Sequence, residues 1–235
     1  MSADLSAQVD LFAPSLVEAT TRRLRDEILS GAIEPGARLI EEQICQRFSI
    51  SRAPLRESLR LLVQQGLVEH LPRRGARVTV WSDEDIRQLF EIRAVLERHA
   101  MITALPLVAA APGVDPLALV RDRLEQMRVA EASLDELERD DAHRAFHAAI
   151  VALAGNRQLD LAMEPILVKL QRPMAVNLRL EASLVGPGEG LRRHAALLSA
   201  LETNDVDIVL AALQEHGGQR YLQYRQDGSP ISSGS

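Results

Sequence analysis

Aromatic residues and cysteine are scarce in this sequence. Phe, Trp and Tyr make up 3% of the 235 residues, although apolar residues reach 46%. Leu and Ala dominate the apolar positions, and this composition favours packed helices over a β-sandwich. The single cysteine, Cys45, excludes an internal disulfide, and we interpret it as a small buried core residue.

The sequence also lacks an N-terminal signal pattern and any apolar run of membrane-spanning length, which predicts a soluble, intracellular protein. Its formal net charge is −6, but the charge is unevenly distributed. Within residues 47–77, seven Arg stand against two Glu. The positive field is therefore local, and the acidic overall charge does not exclude DNA binding.

Residues 41–68 have the pattern of a helix, a tight turn and a second helix. Periodicity predicts a short first helix over 41–48. Ser51 suits the N-cap of the second helix, which Gly66 ends. The apolar stripe of this second helix consists of Leu55, Leu59, Leu62 and Val63.

Arginines recur every fourth residue beside that apolar stripe, at Arg52, Arg56 and Arg60. Because of this spacing their guanidinium groups project from one side of the predicted helix. A basic flank of this kind suits a groove lined with phosphates.

Two short alternating segments, 67–71 and 76–80, follow the second helix and surround the cationic turn 72–75. Alternation around such a turn predicts a β-hairpin. The combined pattern is that of a winged helix-turn-helix.

This region resembles the GntR family of bacterial transcription regulators. The residues that carry the resemblance are Ile28–Gly31, Pro35–Leu39, Ser51–Leu59, Gly66–Val68 and Arg73–Gly75. The resemblance implies DNA binding, with Arg52 and Arg56 in the major groove and Ser51 on a phosphate. The other expected contacts are those of Arg38 with phosphate and of the wing residues Arg73, Arg74 and Gly75 with the DNA backbone or minor groove.

A single recognition helix reads only a few base pairs, so we expect a homodimer that binds a palindromic operator on double-stranded DNA. The resemblance implies a cytoplasmic, nucleoid-associated protein that acts as a repressor or an activator. Repression and activation of transcription both stay open at this point.

We predict a mostly α protein with four segments. They are a flexible arm at 1–14, the winged helix-turn-helix with its small β-wing at 15–81, an all-helical effector-binding and dimerisation domain at 82–226, and a disordered tail at 227–235. Helical spacing runs over 83–110, where Pro106 and the loop 112–116 break it up, and further helices are predicted at 116–132, 134–154, 157–182, 189–203 and 205–225. Ser82 and Asp85 predict a capping box at the start of the first of them.

Four of the six histidines stand out by position. His143 and His147 share one face of the predicted helix 134–154, and His194 and His216 lie on the last two predicted helices. Imidazoles from three helices can hold a divalent transition metal, with coordination positions open for water or a ligand oxygen. The alternative is that the first pair is ordinary helix packing and that His194 and His216 are helix-end residues.

Residues 82–225 look like the all-helical FCD domain of the FadR subgroup of GntR regulators. The resemblance rests on Glu91–Glu97, Phe146–Ile150, Ala154–Asn156, His194 with Leu197 and Leu198, and His216. In metal-binding members an Asp and three His line the pocket. His147, His194 and His216 match three of these positions, whereas His143 stands where the Asp is usual. The all-nitrogen set favours Zn²⁺, Ni²⁺ or Co²⁺ over Mg²⁺ or Ca²⁺, and we predict Zn²⁺ or Ni²⁺; Asp140 is a candidate oxygen donor.

The resemblance also implies a small carboxylate effector held by the metal and by a second cation. Arg93 is the candidate cation, and its alternative role is a surface ion pair with Glu97. Two other functions stay open: a regulator that senses the metal itself, and a metal-dependent hydrolase with Asp140 or Glu164 as base. The DNA-binding pattern argues against the hydrolase, so we expect no enzymatic activity.

Overall fold

The structure is a computed structural model that describes residues 15–72, 74–109, 111–133, 135–185 and 188–216, without the side chains of 177, 179–182 and 184–185. The chain divides between Thr79 and Val80 into two compact units. The predicted arm at 1–14, the predicted tail at 227–235, the predicted helical residues 217–225 and Arg73 lie outside the described residues.

The first unit is a winged helix-turn-helix. Its elements are α1 (Leu16–Leu29), β1 (Arg38–Leu39), α2 (Glu41–Phe48), α3 (Arg52–Gln64), β2 (Val68–Leu71) and β3 (Gly75–Val78). The strands form an antiparallel sheet in the order β1-β3-β2. Val68 pairs with Val78 and Leu71 pairs with Gly75, so β2 and β3 form the hairpin of the wing. The hairpin prediction is confirmed, although the predicted segment 76–80 starts and ends later than the observed β3.

Backbone geometry fixes the turn between α2 and α3. Ser49 adopts the left-handed conformation (φ 55°), and the N–H of Ile50 donates to the carbonyl of Cys45 over 3.1 Å. Together they end α2 and redirect the chain into α3. Helices α1 and α3 pack against each other, with Leu24 and Leu55 completely buried. Cys45 is only partly buried, so our interpretation of it as a buried core residue is wrong.

Serines occupy the N-cap positions of both α1 and α3, but only one of them caps with its side chain. Ser15 Oγ accepts from the Glu18 N–H over 3.2 Å, and Glu18 Oε2 accepts from the Ser15 N–H over 2.7 Å. Ser51 makes no side-chain capping bond. We expect Ser15→Ala to lower the free energy of unfolding by about 1 kcal/mol and the control Ser51→Ala to change it by less than about 0.5 kcal/mol. Urea unfolding followed by circular dichroism measures both, and equal losses would contradict this distinction.

The second unit contains six described helices. They are α4 (Asp83–Ala104), α5 (Ala118–Glu131), α6 (Glu136–Ala152), α7 (Arg157–Val185), α8 (Glu189–Glu202) and α9 (Val206–His216). The centre of its core combines Phe146 and Ile150 of α6, Leu197 and Leu201 of α8, and Val209 of α9. Among the described helices none has the length and apolar character needed to cross a membrane.

Helix α4 begins at the predicted capping box and ends at the predicted break. The capping box is confirmed, because the Asp85 N–H donates to Ser82 Oγ over 3.1 Å and the Ser82 N–H donates to Asp85 Oδ2 over 2.9 Å. The break at Pro106 is also confirmed, since the helix ends at Ala104. Leu105 precedes Pro106 and takes an extended conformation (ψ 142°), as steric crowding before proline requires.

Candidate functional site

The two predicted major-groove arginines lie exposed on α3. Arg56 Nε donates to Glu41 Oε2 over 3.0 Å, whereas Arg52 has no ion pair within the described part of the chain. Arg60, on the same flank, donates to Glu57 over 2.9 Å. The first half of α3 therefore presents one unpaired and one acid-anchored guanidinium to solvent.

The wing lies beside this helix. A groove of about 570 Å³ is bordered by Arg56 and Arg60 of α3 and by His70 and Gly75 of the hairpin. Gly75 has φ 87°, a left-handed conformation that glycine adopts without strain. His70, which the sequence did not single out as a DNA contact, is exposed on β2 at the edge of this groove.

The remaining predicted contacts also lie in this unit. Arg74 is exposed at the tip of the wing. Arg38 is exposed on β1 and pairs across the sheet with Arg77, whose Nε donates to Glu69 over 2.7 Å. Their roles on DNA stay predictions.

Histidines from three helices of the second unit meet in its interior. His147 Nε2 of α6 lies 3.3 Å from His194 Nε2 of α8 and 3.4 Å from His216 Nε2 of α9. The ring of His143 is centred 4.7 Å from that of His147 and 4.8 Å from that of His194. We call these four residues the histidine centre. The structure thus brings together all four residues that the sequence selected.

Hydrogen bonds orient two of these rings. His194 Nδ1 lies 2.6 Å from the Gly190 carbonyl, and His147 Nδ1 lies 2.9 Å from Glu97 Oε1. A carbonyl and a carboxylate accept hydrogen bonds, and these acceptors favour a proton on Nδ1 of both rings. For His147 a competing donor is present, because Arg93 Nη2 lies 2.8 Å from Nδ1 and 2.9 Å from Nε2. Within the described chain, the buried atoms His143 Nε2 and His216 Nδ1 have no hydrogen-bond partner.

Burial keeps the histidine centre neutral. It lowers the pKa of His194 to about 3 and holds the pKa values of His143, His147 and His216 well below the usual range. The Arg93 guanidinium and the neighbouring imidazoles lower these pKa values further. Unprotonated nitrogens are the form that binds transition metals.

The nitrogen separations fit a tetrahedral metal site. Zn–N bonds of about 2.0–2.1 Å place two ligand nitrogens about 3.3–3.4 Å apart. The observed Nε2 separations of 3.3 Å and 3.4 Å have this value. One ligand nitrogen each from the buried His143, His147 and His194 also lies within 4.8 Å of the others. The Nε2 atoms of His147, His194 and His216 therefore have separations that suit a divalent transition metal, whereas the bound of 4.8 Å for the set with His143 is wider than a Zn–N shell requires.

Arg93 is buried beside the histidine centre. Its Nε donates to Glu97 Oε1 over 2.8 Å, and its Nη2 lies 2.8 Å from His147 Nδ1 and 2.9 Å from His147 Nε2. The ion pair that the sequence offered as an alternative is thus present, but it is buried instead of exposed. An effector contact of Arg93 stays a prediction.

A cavity of about 110 Å³ adjoins the histidine centre. His143 and His194 form part of its wall, together with the charged residues Glu131, Arg139, Asp140 and Glu189. Asp140 thus borders the same cavity as His143 and His194, and its role as an oxygen donor stays a prediction. Glu164 instead borders a different cavity and accepts from Arg144 over 2.7 Å.

A winged helix-turn-helix followed by a helical unit with a histidine centre is the architecture of a two-part DNA-binding regulator. The family model described as bacterial regulatory proteins, gntR family, matches residues 16–78, and the FCD domain model matches residues 88–219. The chain therefore belongs to the GntR family and carries an FCD domain.

Individual relatives agree with this assignment. The HTH-type transcriptional regulator BphR of Paraburkholderia xenovorans (strain LB400) is 41% identical over 221 residues, which cover 91% of this chain and 87% of BphR. The transcriptional repressor GlaR of Escherichia coli (strain K12) is 32% identical over 142 residues, or 59% of this chain. This chain spans 63% of the length of GlaR and of YdhC from Bacillus subtilis (strain 168). The crystal structure of a GntR regulator from Rhodococcus sp. RHA1 has a TM-score of 0.75 at 25% identity and covers 92% of this chain and 100% of that one.

Proposed function

We propose that this protein is a homodimeric, ligand-responsive repressor or activator that acts on DNA in the bacterial cytoplasm. Its second unit holds a divalent transition metal and, through it, a small carboxylate effector. The observation that carries the proposal is the convergence of three Nε2 atoms at 3.3 Å and 3.4 Å in an interior that keeps them unprotonated.

The first unit recognises the DNA. Arg52 and Arg56 on α3 read base edges in the major groove, and the uncommitted hydroxyl of Ser51 binds a phosphate. Arg38 contributes a second phosphate contact. Arg73, Arg74 and Gly75 place the wing against the DNA backbone or minor groove. One copy reads one half-site, and a two-fold dimer reads the palindrome.

His143, His147, His194 and His216 are the residues that hold the metal. A donor set made only of nitrogen favours Zn²⁺ or Ni²⁺. The bound cation supplies Lewis acidity that attracts a carboxylate oxygen. The adjoining cavity of about 110 Å³ offers space for an organic acid. Arg93, which contacts both His147 and the carboxylate of Glu97, is the candidate second cation.

A second candidate is a regulator that senses the metal itself. It is favoured by the presence of four imidazoles, because four nitrogens complete a tetrahedral shell without any ligand oxygen. DNA affinity that changes with Zn²⁺ alone, with no organic acid added, distinguishes this candidate from the first.

Thermal melting of the full chain tests the effector proposal. Each acid in a panel of sugar acids, hydroxy acids, dicarboxylates and fatty acyl compounds is added with and without a chelator. At a hundredfold excess over its dissociation constant an effector stabilises the chain by about 2.7 kcal/mol, which raises the midpoint by several degrees. The proposal expects one class of acid to raise the midpoint and chelator to abolish the rise. A rise that survives chelation contradicts metal anchoring.

A further inference from the structure

Glu97 lies in the interior of the second unit and has no role in the function proposed above. Only 3% of its surface is exposed. Its Oε1 atom lies 2.9 Å from His147 Nδ1 and accepts from Arg93 Nε over 2.8 Å. One carboxylate oxygen is therefore shared between a ring of the histidine centre and a buried cation.

We propose that Glu97 is a positioning residue of the histidine centre, which holds His147 as the Nδ1–H tautomer with its Nε2 lone pair directed at the metal position. This inference rests on the metal site proposed above. A carboxylate that accepts from the outer nitrogen of a metal-binding histidine fixes the orientation of the ring and increases its basicity. The Gly190 carbonyl has the same relation to His194, but it belongs to the backbone and cannot be changed by substitution.

Arg93 completes this arrangement. A carboxylate buried as deeply as that of Glu97 is costly without a partner, and Arg93 is equally buried, with 3% exposure. Their ion pair lets an ionised acceptor stay beside His147 in the interior. In this proposal Glu97 orients the ring of His147. Arg93 balances the buried carboxylate and also contacts that ring, with its Nη2 2.8 Å from Nδ1 and 2.9 Å from Nε2.

The test measures binding of Co²⁺ by the full chain. Competition with a chromophoric chelator gives the dissociation constant, and visible absorption of Co²⁺ reports the coordination geometry. Glu97→Gln keeps the side-chain shape and removes the charge. The double variant Arg93→Met/Glu97→Met removes the pair together, which leaves no unpaired buried charge and is often neutral for stability. Glu91→Gln, at an exposed position of the same helix, is the control.

We expect both Glu97 variants to bind Co²⁺ roughly 10- to 100-fold more weakly than the unmodified chain, with an altered absorption spectrum, and the control to bind normally. A purely structural ion pair would instead lower the melting midpoint without metal and leave the dissociation constant unchanged. A folded double variant that binds within about threefold of the unmodified chain overturns the proposal. If the unmodified chain binds no Co²⁺, the metal site itself is wrong and this inference falls with it.

The tautomer can also be measured directly, whichever variants fold. Nitrogen-15 NMR of histidine-labelled, metal-free protein distinguishes Nδ1–H from Nε2–H rings. We expect His147 in the Nδ1–H form in the unmodified chain and in Glu91→Gln. An Nε2–H form of His147 in the unmodified chain overturns the proposal.

Discussion

Replacing His194 with leucine is expected to abolish the stabilisation of this protein by Zn²⁺. His194 is completely enclosed, its Nδ1 is committed to the Gly190 carbonyl, and its Nε2 lies 3.3 Å from that of His147. Removing a proposed direct ligand should weaken Zn²⁺ binding by more than the roughly 10- to 100-fold that is typical when a residue contacting a ligand is replaced. Leucine keeps the site filled and apolar, which limits the loss of packing.

Thermal melting with and without Zn²⁺ measures this loss. At a hundredfold excess over its dissociation constant, Zn²⁺ should stabilise the unmodified chain by about 2.7 kcal/mol and raise the midpoint by roughly 5–10 °C. His194→Leu should show no rise at the same concentration. The control is His99→Leu, because His99 is an exposed histidine on α4 outside the histidine centre. An undiminished rise in His194→Leu would show that Zn²⁺ binds elsewhere.

The helix-turn-helix was predictable because its determinants are local. A period of 3.6 residues in the apolar stripe defines α3, and Gly66 marks its end within two residues. The end of α4 was also predictable from the sequence, since Pro106 restricts the backbone conformation of Leu105. Helix α7 passes through Pro165 and Pro173, as the predicted helix 157–182 does, and it ends three residues later than predicted, at Val185. Its packing against α4 and α6 supports a helix that contains two prolines.

The sequence singled out the four histidines, and the resemblance to the FCD domain, not their spacing, favoured a common site. The partners that orient the rings were not predictable. Sequence separation hides the approach of Glu97 on α4 to His147 on α6, which lies 50 residues further along. A weaker signal was present. Arg93 and Glu97 continue the buried stripe of α4 that begins with Ile86 and Phe90, and charged residues in an apolar stripe indicate a buried network. The sequence interpretations of Arg93, as an effector-binding cation or as a surface ion pair with Glu97, did not include a buried network.

The second large effect concerns DNA binding. We expect Arg52→Ala and Arg56→Ala each to weaken binding by about 1–3 kcal/mol, and the double variant to weaken it by roughly the sum because the two side chains read different bases. The measurement is a titration of DNA fragments that the unmodified chain selects from a random-sequence pool, at fixed salt. Arg128→Ala is the control, since that exposed arginine lies in the second unit and pairs only with Glu125 over 2.6 Å among its described contacts.

The effect on different DNA sequences distinguishes base reading from phosphate binding. If Arg52 reads a base, Arg52→Ala should relax the preference at one position of the half-site and spare binding to unrelated DNA. If Arg52 binds a phosphate, the same substitution should weaken binding to every sequence and reduce the salt dependence by about one counterion per half-site.

Arg56 has an additional constraint, because Glu41 holds its Nε and leaves the two terminal nitrogens for the DNA. Glu41→Gln should therefore reduce the base preference at the position that Arg56 contacts. An unchanged preference would mean that DNA binding alone orients this guanidinium.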